Sequence, residues 1–155
     1  MKSPKILIGE DDADDQLLLK TAFLENGGRQ QLVFVEDGSR LMDHLNGIGA
    51  QEPGNTFPDF IMLDLNMPGK SGKEALEELK KHPVYKAIPV IIYTTTRDER
   101  EIKRCYELGA NNYIVKPSNF QGLVKIVNTV LKYWYSTATI PTLSAGSAFD
   151  DVDVR

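Results

Sequence analysis

The sequence has little cysteine, no long apolar run and no surplus of positive charge, and each shortage excludes a class of protein. Cys105 is the only cysteine among 155 residues, so no disulfide can form within the chain. No apolar stretch approaches the length needed to cross a bilayer, and the apolar part of the N-terminus is too short for a secretory signal. We therefore expect a cytoplasmic protein with no membrane contact.

Acidic residues outnumber basic ones. The 22 Asp and Glu against 18 Lys and Arg give a formal net charge of -4. Proteins that bind nucleic acid regardless of sequence depend on basic patches that displace counterions. We therefore expect no nucleic-acid partner. The length suits one domain with one core.

Short apolar runs alternate with longer segments of helical periodicity. The runs, rich in Val and Ile, predict strands over 5–9, 31–35, 59–64, 89–94 and 112–115. Five strand-helix units in a row imply right-handed crossovers and helices on both faces of a parallel sheet. The predicted fold is a doubly wound, flavodoxin-like α/β fold. Its strand order, 2-1-3-4-5, places strands one and three together where ligands bind.

The regular pattern predicts a domain over residues 4–135. Residues 136–155 form a polar extension that we expect to be partly disordered, beyond about Pro141. Three glycines stand where helices should end: Gly27, Gly47 and Gly109.

Acidic residues follow the first and third predicted strands. Glu10 and Asp11 come directly after "KILIG", and Asp64 ends the run "DFIMLD". At one edge of a parallel sheet these carboxylates are expected to share a crevice, where like charges require a cation or raise one another's pKa. Mg²⁺, which prefers oxygen ligands, is the natural partner, and the backbone carbonyl of Asn66 can supply another oxygen.

Complementary groups end the last two predicted strands. Thr94 offers a hydroxyl that can donate to a phosphoryl oxygen, and Lys116 offers a cation. Pro117 after Lys116 allows a cis peptide bond. A carboxylate nucleophile, a divalent cation, a hydroxyl and an ammonium group are together what phosphoryl transfer to an aspartate requires.

Taken alone, each signal has an ordinary structural explanation. An acidic junction such as residues 10–12 is more often a solvated helix cap, and Asp64 alone can be a strand-end acid that faces water. Thr94 lies among three threonines, which β-propensity already explains. The joint placement of these groups on successive strand ends favours the phosphoryl-transfer interpretation.

The combination resembles the receiver domain of two-component response regulators over about residues 4–134. The resemblance implies that Asp64 is the phosphoacceptor and that Lys116 pairs with the phosphoryl group. Asp11 would bind Mg²⁺ directly and Glu10 through water. Asp64 and the Asn66 carbonyl would complete the protein's ligands.

The same resemblance implies a conformational switch. Thr94 would swing toward the phosphoryl group, and Tyr113, three residues before the lysine, would turn inward on activation. Pro68 and Pro117 would have structural roles, the former turning the chain away from the acceptor carboxylate.

The function implied is that of a stand-alone receiver, phosphorylated by a sensor histidine kinase, whose output is a protein contact. Such a protein is not an enzyme, because it catalyses only its own phosphorylation and dephosphorylation. One rival is a Mg²⁺-dependent phosphatase of the haloacid dehalogenase type, but that family carries D-x-D after its first strand, whereas "DLN" here follows the third. The other is a degenerate receiver that binds its target without phosphorylation.

Aromatic residues cluster where the last predicted helix ends. The segment "YWYSTATIPT" resembles the C-terminal extension of small regulators that work with bacterial phytochromes, in which it helps to build a dimer. We predict a homodimer through the fourth-helix to fifth-helix face, using Trp134 and Tyr135. Alternatively, the aromatics simply complete the core.

Overall fold

Five parallel strands form the centre of the fold in the computed structural model, which describes residues 4–51 and 55–144. The sheet has the predicted order, β2-β1-β3-β4-β5. The strands are β1 (Lys5–Gly9), β2 (Gln31–Val35), β3 (Phe60–Leu63), β4 (Val90–Thr94) and β5 (Asn112–Val115). The helices are α1 (Ala13–Glu25), α2 (Gly38–Gly49), α3 (Gly72–Lys81), α4 (Glu99–Glu107) and α5 (Phe120–Lys132), with a 3-10 turn at Tyr85–Ala87.

The central strands are apolar because helices cover both of their faces. Successive side chains of a strand point to opposite faces, so Ile6 and Ile8 pack with α1 and α5 while Leu7 packs with α2 and α3. Residues of β3 and β4 divide between the two faces in the same way. The doubly wound α/β prediction is confirmed.

Polar caps and glycines set most of the helix ends. The Asp12 side chain accepts hydrogen bonds at the start of α1, and Ser71 forms a capping box with Glu74 at the start of α3. Gly27 and Gly109 have φ angles of 103° and 108° just past their helices. The prediction for Gly47 was wrong, because α2 continues through it to Gly49. None of the helices in the described ranges is both long and apolar enough to cross a membrane.

The chain beyond α5 packs back onto the domain. A π-helical turn, Tyr133–Thr137, buries Trp134 against Phe60 at a ring-centroid distance of 6.1 Å. Farther on, the backbone N–H of Phe57 donates to the carbonyl of Leu143 at 3.0 Å. The packed structure therefore extends past residue 135 to Ser144 and includes the first residues after Pro141, where we predicted disorder. The rest of that segment, residues 145–155, lies outside the described ranges.

Candidate functional site

The carboxyl ends of β1 and β3 place three carboxylates together. The two strands are paired neighbours, and the backbone N–H of Asp64 donates to the carbonyl of Gly9 at 2.9 Å. Carboxylate oxygens of Glu10, Asp11 and Asp64 all lie within 4.8 Å of one another. Glu10 is 1% exposed and Asp64 5%, whereas Asp11 faces solvent. The structure thus joins the three acids that the sequence placed at strand ends.

Lys116 lies at the centre of this acidic group. Its backbone N–H donates to the carbonyl of Thr94 at 2.8 Å, which fixes the chain where β5 ends. Its ammonium contacts three carboxylates: Glu10 Oε1 at 2.6 Å, Asp15 Oδ2 at 2.8 Å and Asp64 Oδ2 at 2.9 Å. Burial opposes the charged ammonium, but the hydrogen bonds to these acids outweigh it and raise the pKa of Lys116. The lysine is therefore a fixed cation beside Asp64.

Both oxygens of the Asp64 carboxylate have donors. The fully buried Thr94 hydroxyl donates to Oδ1 at 2.8 Å, and the backbone N–H of Asn66 donates to the same oxygen at 3.1 Å. Lys116 donates to Oδ2. The Asn66 carbonyl as a metal ligand stays a prediction.

The electrostatics of the site call for more positive charge. Burial raises the pKa of Glu10 to about 7, although the hydrogen bond from Lys116 works in the opposite direction. The site contains four carboxylates, those of Glu10, Asp11, Asp15 and Asp64, and the ammonium group of Lys116 contacts three of them. A cluster of hard oxygen donors with excess negative charge suits Mg²⁺, and the residues present therefore fit this ion.

Tyr113 connects β5 to neighbouring elements. Its hydroxyl donates to the carbonyl of Thr96 at 2.8 Å, in the loop after β4, and its backbone N–H donates to the Tyr106 hydroxyl at 3.1 Å. Burial raises the pKa of the Tyr113 hydroxyl to about 12, so it is a stable donor at neutral pH. In this structure Thr94 contacts Asp64 while Tyr113 contacts the loop.

Two loops shape the entrance to the site. Asn66 and Pro68 are exposed, and Gly69 has a φ angle of 64°, which lets the chain turn sharply away from Asp64. The prediction of a turn at this position agrees with the structure. The Lys116–Pro117 peptide bond is trans, like every other in the described ranges, so the cis form that the sequence allowed is not adopted.

The sequence did not reveal three residues of the site. Gly72 begins α3 so close to β3 that an added Cβ would lie 1.9 Å from the Asp64 carbonyl oxygen. The Gln16 side chain donates to the Glu10 carbonyl at 2.6 Å, and Asp15 contacts Lys116. In the sequence, Asp15 resembles an ordinary acid in the first turn of a helix. Its position one turn after Asp11 was the only indication that it could face the site.

Comparisons with known proteins agree with this geometry. The family described as "Response regulator receiver domain" matches residues 6–128. Response regulator Rcp1 of Synechocystis sp. is 35% identical over 136 residues, which span 88% of this chain and 92% of Rcp1. The phosphorylated cyanobacterial phytochrome response regulator RcpA superposes with a TM-score of 0.80 at 36% identity, over 90% of this chain and 99% of RcpA. The Mn²⁺-bound form of Rcp1 gives 0.78 at 35% identity, over 89% of this chain and 99% of that chain.

Proposed function

The chain belongs to the family of response regulator receiver domains, and from that premise we propose that Asp64 is its phosphoacceptor. Response regulators are phosphorylation switches, and this chain is such a switch with Mg²⁺ as its cofactor. The observation that supports Asp64 is the convergence of Lys116 and Thr94 on its two carboxylate oxygens.

In the proposed reaction, a carboxylate oxygen of Asp64 attacks the phosphorus atom of a phosphohistidine. The new O–P bond forms as the P–N bond breaks, and the imidazole leaves with the electron pair. Lys116 and Thr94 donate hydrogen bonds to the transferred group, because both already lie within 3 Å of the acceptor. Glu10, Asp11, Asp64 and the Asn66 carbonyl would hold Mg²⁺. The bound ion supplies positive charge that offsets the charge on the phosphoryl oxygens.

The switch would act through the contacts that join β4 and β5. Thr94 binds Asp64, and two residues later Thr96 accepts from Tyr113. A phosphoryl group that draws the Thr94 hydroxyl therefore biases the position of Thr96 and Tyr113. Since Tyr113 also donates to Tyr106 of α4, the surface formed by α4, β5 and α5 is the proposed output.

The proposed donor is a sensor histidine kinase of the phytochrome type, because RcpA is described as a phytochrome response regulator. We also propose that the chain performs no turnover chemistry beyond its own phosphorylation and dephosphorylation. A cytoplasmic location suits the buried free thiol of Cys105, which a reducing compartment preserves.

Acetyl phosphate, a small phosphoryl donor, tests this function directly. With Mg²⁺ present, we expect a stable mass gain of one phosphoryl group per chain by intact-protein mass spectrometry, and with EDTA we expect none. Continuous release of inorganic phosphate without a labelled protein would instead support the haloacid dehalogenase type of phosphatase. Failure to gain mass with Mg²⁺, without release of inorganic phosphate, would support the degenerate receiver.

We further propose a homodimer through the face formed by α4 and α5. Trp134 was predicted in this interface, but it is only 9% exposed and packs in the chain's own core. The hydroxyl of Tyr135 donates to Asp59 at 2.8 Å, which also directs this side chain inward. Tyr106 and Tyr133 are each 49% exposed and are better probes of the interface.

Sedimentation velocity tests the dimer. We expect a dimer with beryllofluoride and Mg²⁺, and we expect Tyr106→Ser with Tyr133→Ser to shift it toward monomer, because the exposed aromatic area is lost. Leu24→Ser, a change at a 62% exposed side chain of α1, serves as the matched control. A wild-type monomer both with and without beryllofluoride would contradict the proposal.

A further inference from the structure

Asp15 makes a contact that the proposed reaction leaves without a role. Its Oδ2 atom lies 2.8 Å from the ammonium of Lys116, so this contact joins α1 to the end of β5. The backbone around it is fixed, because the N–H of Asp15 donates to the Asp12 side chain at 3.0 Å in the cap of α1. The side chain of Lys116 is 9% exposed and that of Asp15 is 36% exposed. Asp15 therefore reaches from the partly exposed helix turn into the site.

The three contacts of Lys116 differ in what the reaction demands of them. An ammonium group has three protons, and here each carboxylate of Glu10, Asp15 and Asp64 accepts one. Glu10 and Asp64 belong to the cluster proposed to hold Mg²⁺, and Asp64 also takes the phosphoryl group. Asp15 lies outside that cluster. Asp15 is thus the acceptor that remains available to Lys116 when Glu10 and Asp64 bind Mg²⁺ or the phosphoryl group.

We propose that Asp15 is a positioning residue, which holds the Lys116 ammonium so that the proton now donated to Asp64 meets the incoming phosphoryl group. The inference rests on the proposed function of Asp64. A lysine side chain has a flexible four-carbon stem and loses much conformational freedom when its ammonium group is fixed. The Asp15 carboxylate, which lies outside the metal cluster, therefore keeps the ammonium group aligned. The charge of Asp15 also repels a phosphoryl group, but its exposure lets water screen this repulsion, whereas its contact with the ammonium is direct.

The experiment measures the affinity for two probes separately in the full chain. Mg²⁺ binding is followed by isothermal titration calorimetry, and beryllofluoride binding in saturating Mg²⁺ is followed by ¹⁹F NMR. For Asp15→Ala we expect beryllofluoride to bind about fivefold more weakly. The variant lacks the charge-assisted hydrogen bond between Asp15 and Lys116, the residue that contacts beryllofluoride. Mg²⁺ affinity should change less than twofold, since Asp15 is not among the clustered ligands.

Matched variants separate positioning from a general effect on α1. Asp14→Ala removes the same charge from the same helix turn at an exposed side chain, and beryllofluoride affinity should stay within about twofold of wild type. Asp15→Asn retains an oxygen acceptor and should recover part of the lost affinity. A purely structural role predicts no such recovery and equal losses for both probes.

Each remaining outcome bears on the inference in a defined way. Wild-type affinity in Asp15→Ala would overturn it while leaving Asp64 as acceptor. Tighter binding would overturn it as well, because Asp15 would then compete for Lys116. If the wild-type chain took up no beryllofluoride, the proposed function would fail together with the inference.

Discussion

Asp64→Asn is expected to abolish phosphorylation by acetyl phosphate. The amide lacks the anionic oxygen that attacks phosphorus in the proposed reaction, but it has the same shape, and its single oxygen can still accept from either Thr94 or Lys116. The fold should therefore persist, and removal of one of several crowded negative charges should leave the unfolding midpoint unchanged or higher. Intact-protein mass spectrometry after incubation with acetyl phosphate and Mg²⁺ measures the first effect, and urea denaturation the second.

Asp43→Asn is the matched control, because Asp43 is an exposed acid of α2 outside the acidic cluster. This variant should gain the phosphoryl group to the same extent as wild type. A mass gain that persisted in Asp64→Asn would place the acceptor at another residue, and peptide mapping of the labelled chain would then identify it.

Gly72→Ala should destabilise the protein by about 3 kcal/mol. An added methyl group would meet the Asp64 carbonyl oxygen at 1.9 Å and the Leu65 Cα at 2.8 Å, and both belong to backbone that cannot rotate away. Either α3 or the end of β3 must move, so we expect Asp64 to lose its alignment with Lys116. Urea denaturation measures the stability loss, and the rate of labelling by acetyl phosphate measures the effect on the site.

Gly47→Ala provides the contrasting substitution. Gly47 lies inside α2, and an added Cβ would meet no atom within 4 Å. This change should stabilise the protein by about 0.5–1 kcal/mol through the lower conformational freedom of alanine in the unfolded chain. Equal midpoints for Gly72→Ala and wild type would show that α3 does not approach Asp64 so closely in solution.

The spacing of apolar residues and the positions of glycines and capping residues were enough to predict a parallel sheet. Buried parallel strands read as short apolar runs, and five βα units in a row imply a parallel sheet with right-handed crossovers. The strand order was predicted as the common order for such a sheet, and the structure has this order. The convergence of Glu10, Asp64 and Lys116 was predictable for the same reason, because residues that end parallel strands meet at one edge.

Other parts of the site depend on distances that the sequence does not encode locally. Glycine is required at position 72 because α3 approaches the carbonyl of Asp64 so closely. The local sequence "KSGKE" does not indicate this requirement. Asp15 reaches a lysine 101 residues away, which no short-range pattern specifies. The burial of Trp134 likewise depends on Phe60, which covers the indole from a distant strand.

The segment after α5, as far as the structure describes it, adds hydrogen bonds at only one of the two edges of the sheet, the edge opposite the site. At the edge opposite the site, Asp59 Oδ2 accepts from both the Lys5 backbone N–H at 3.0 Å and the Tyr135 hydroxyl at 2.8 Å, and the Leu143 carbonyl accepts from Phe57. These bonds tie the first strand, the third strand and the end of the chain into one rigid base. We therefore expect rearrangement after phosphorylation to be confined to the opposite edge, so that a partner in contact with this base alone would sense no change.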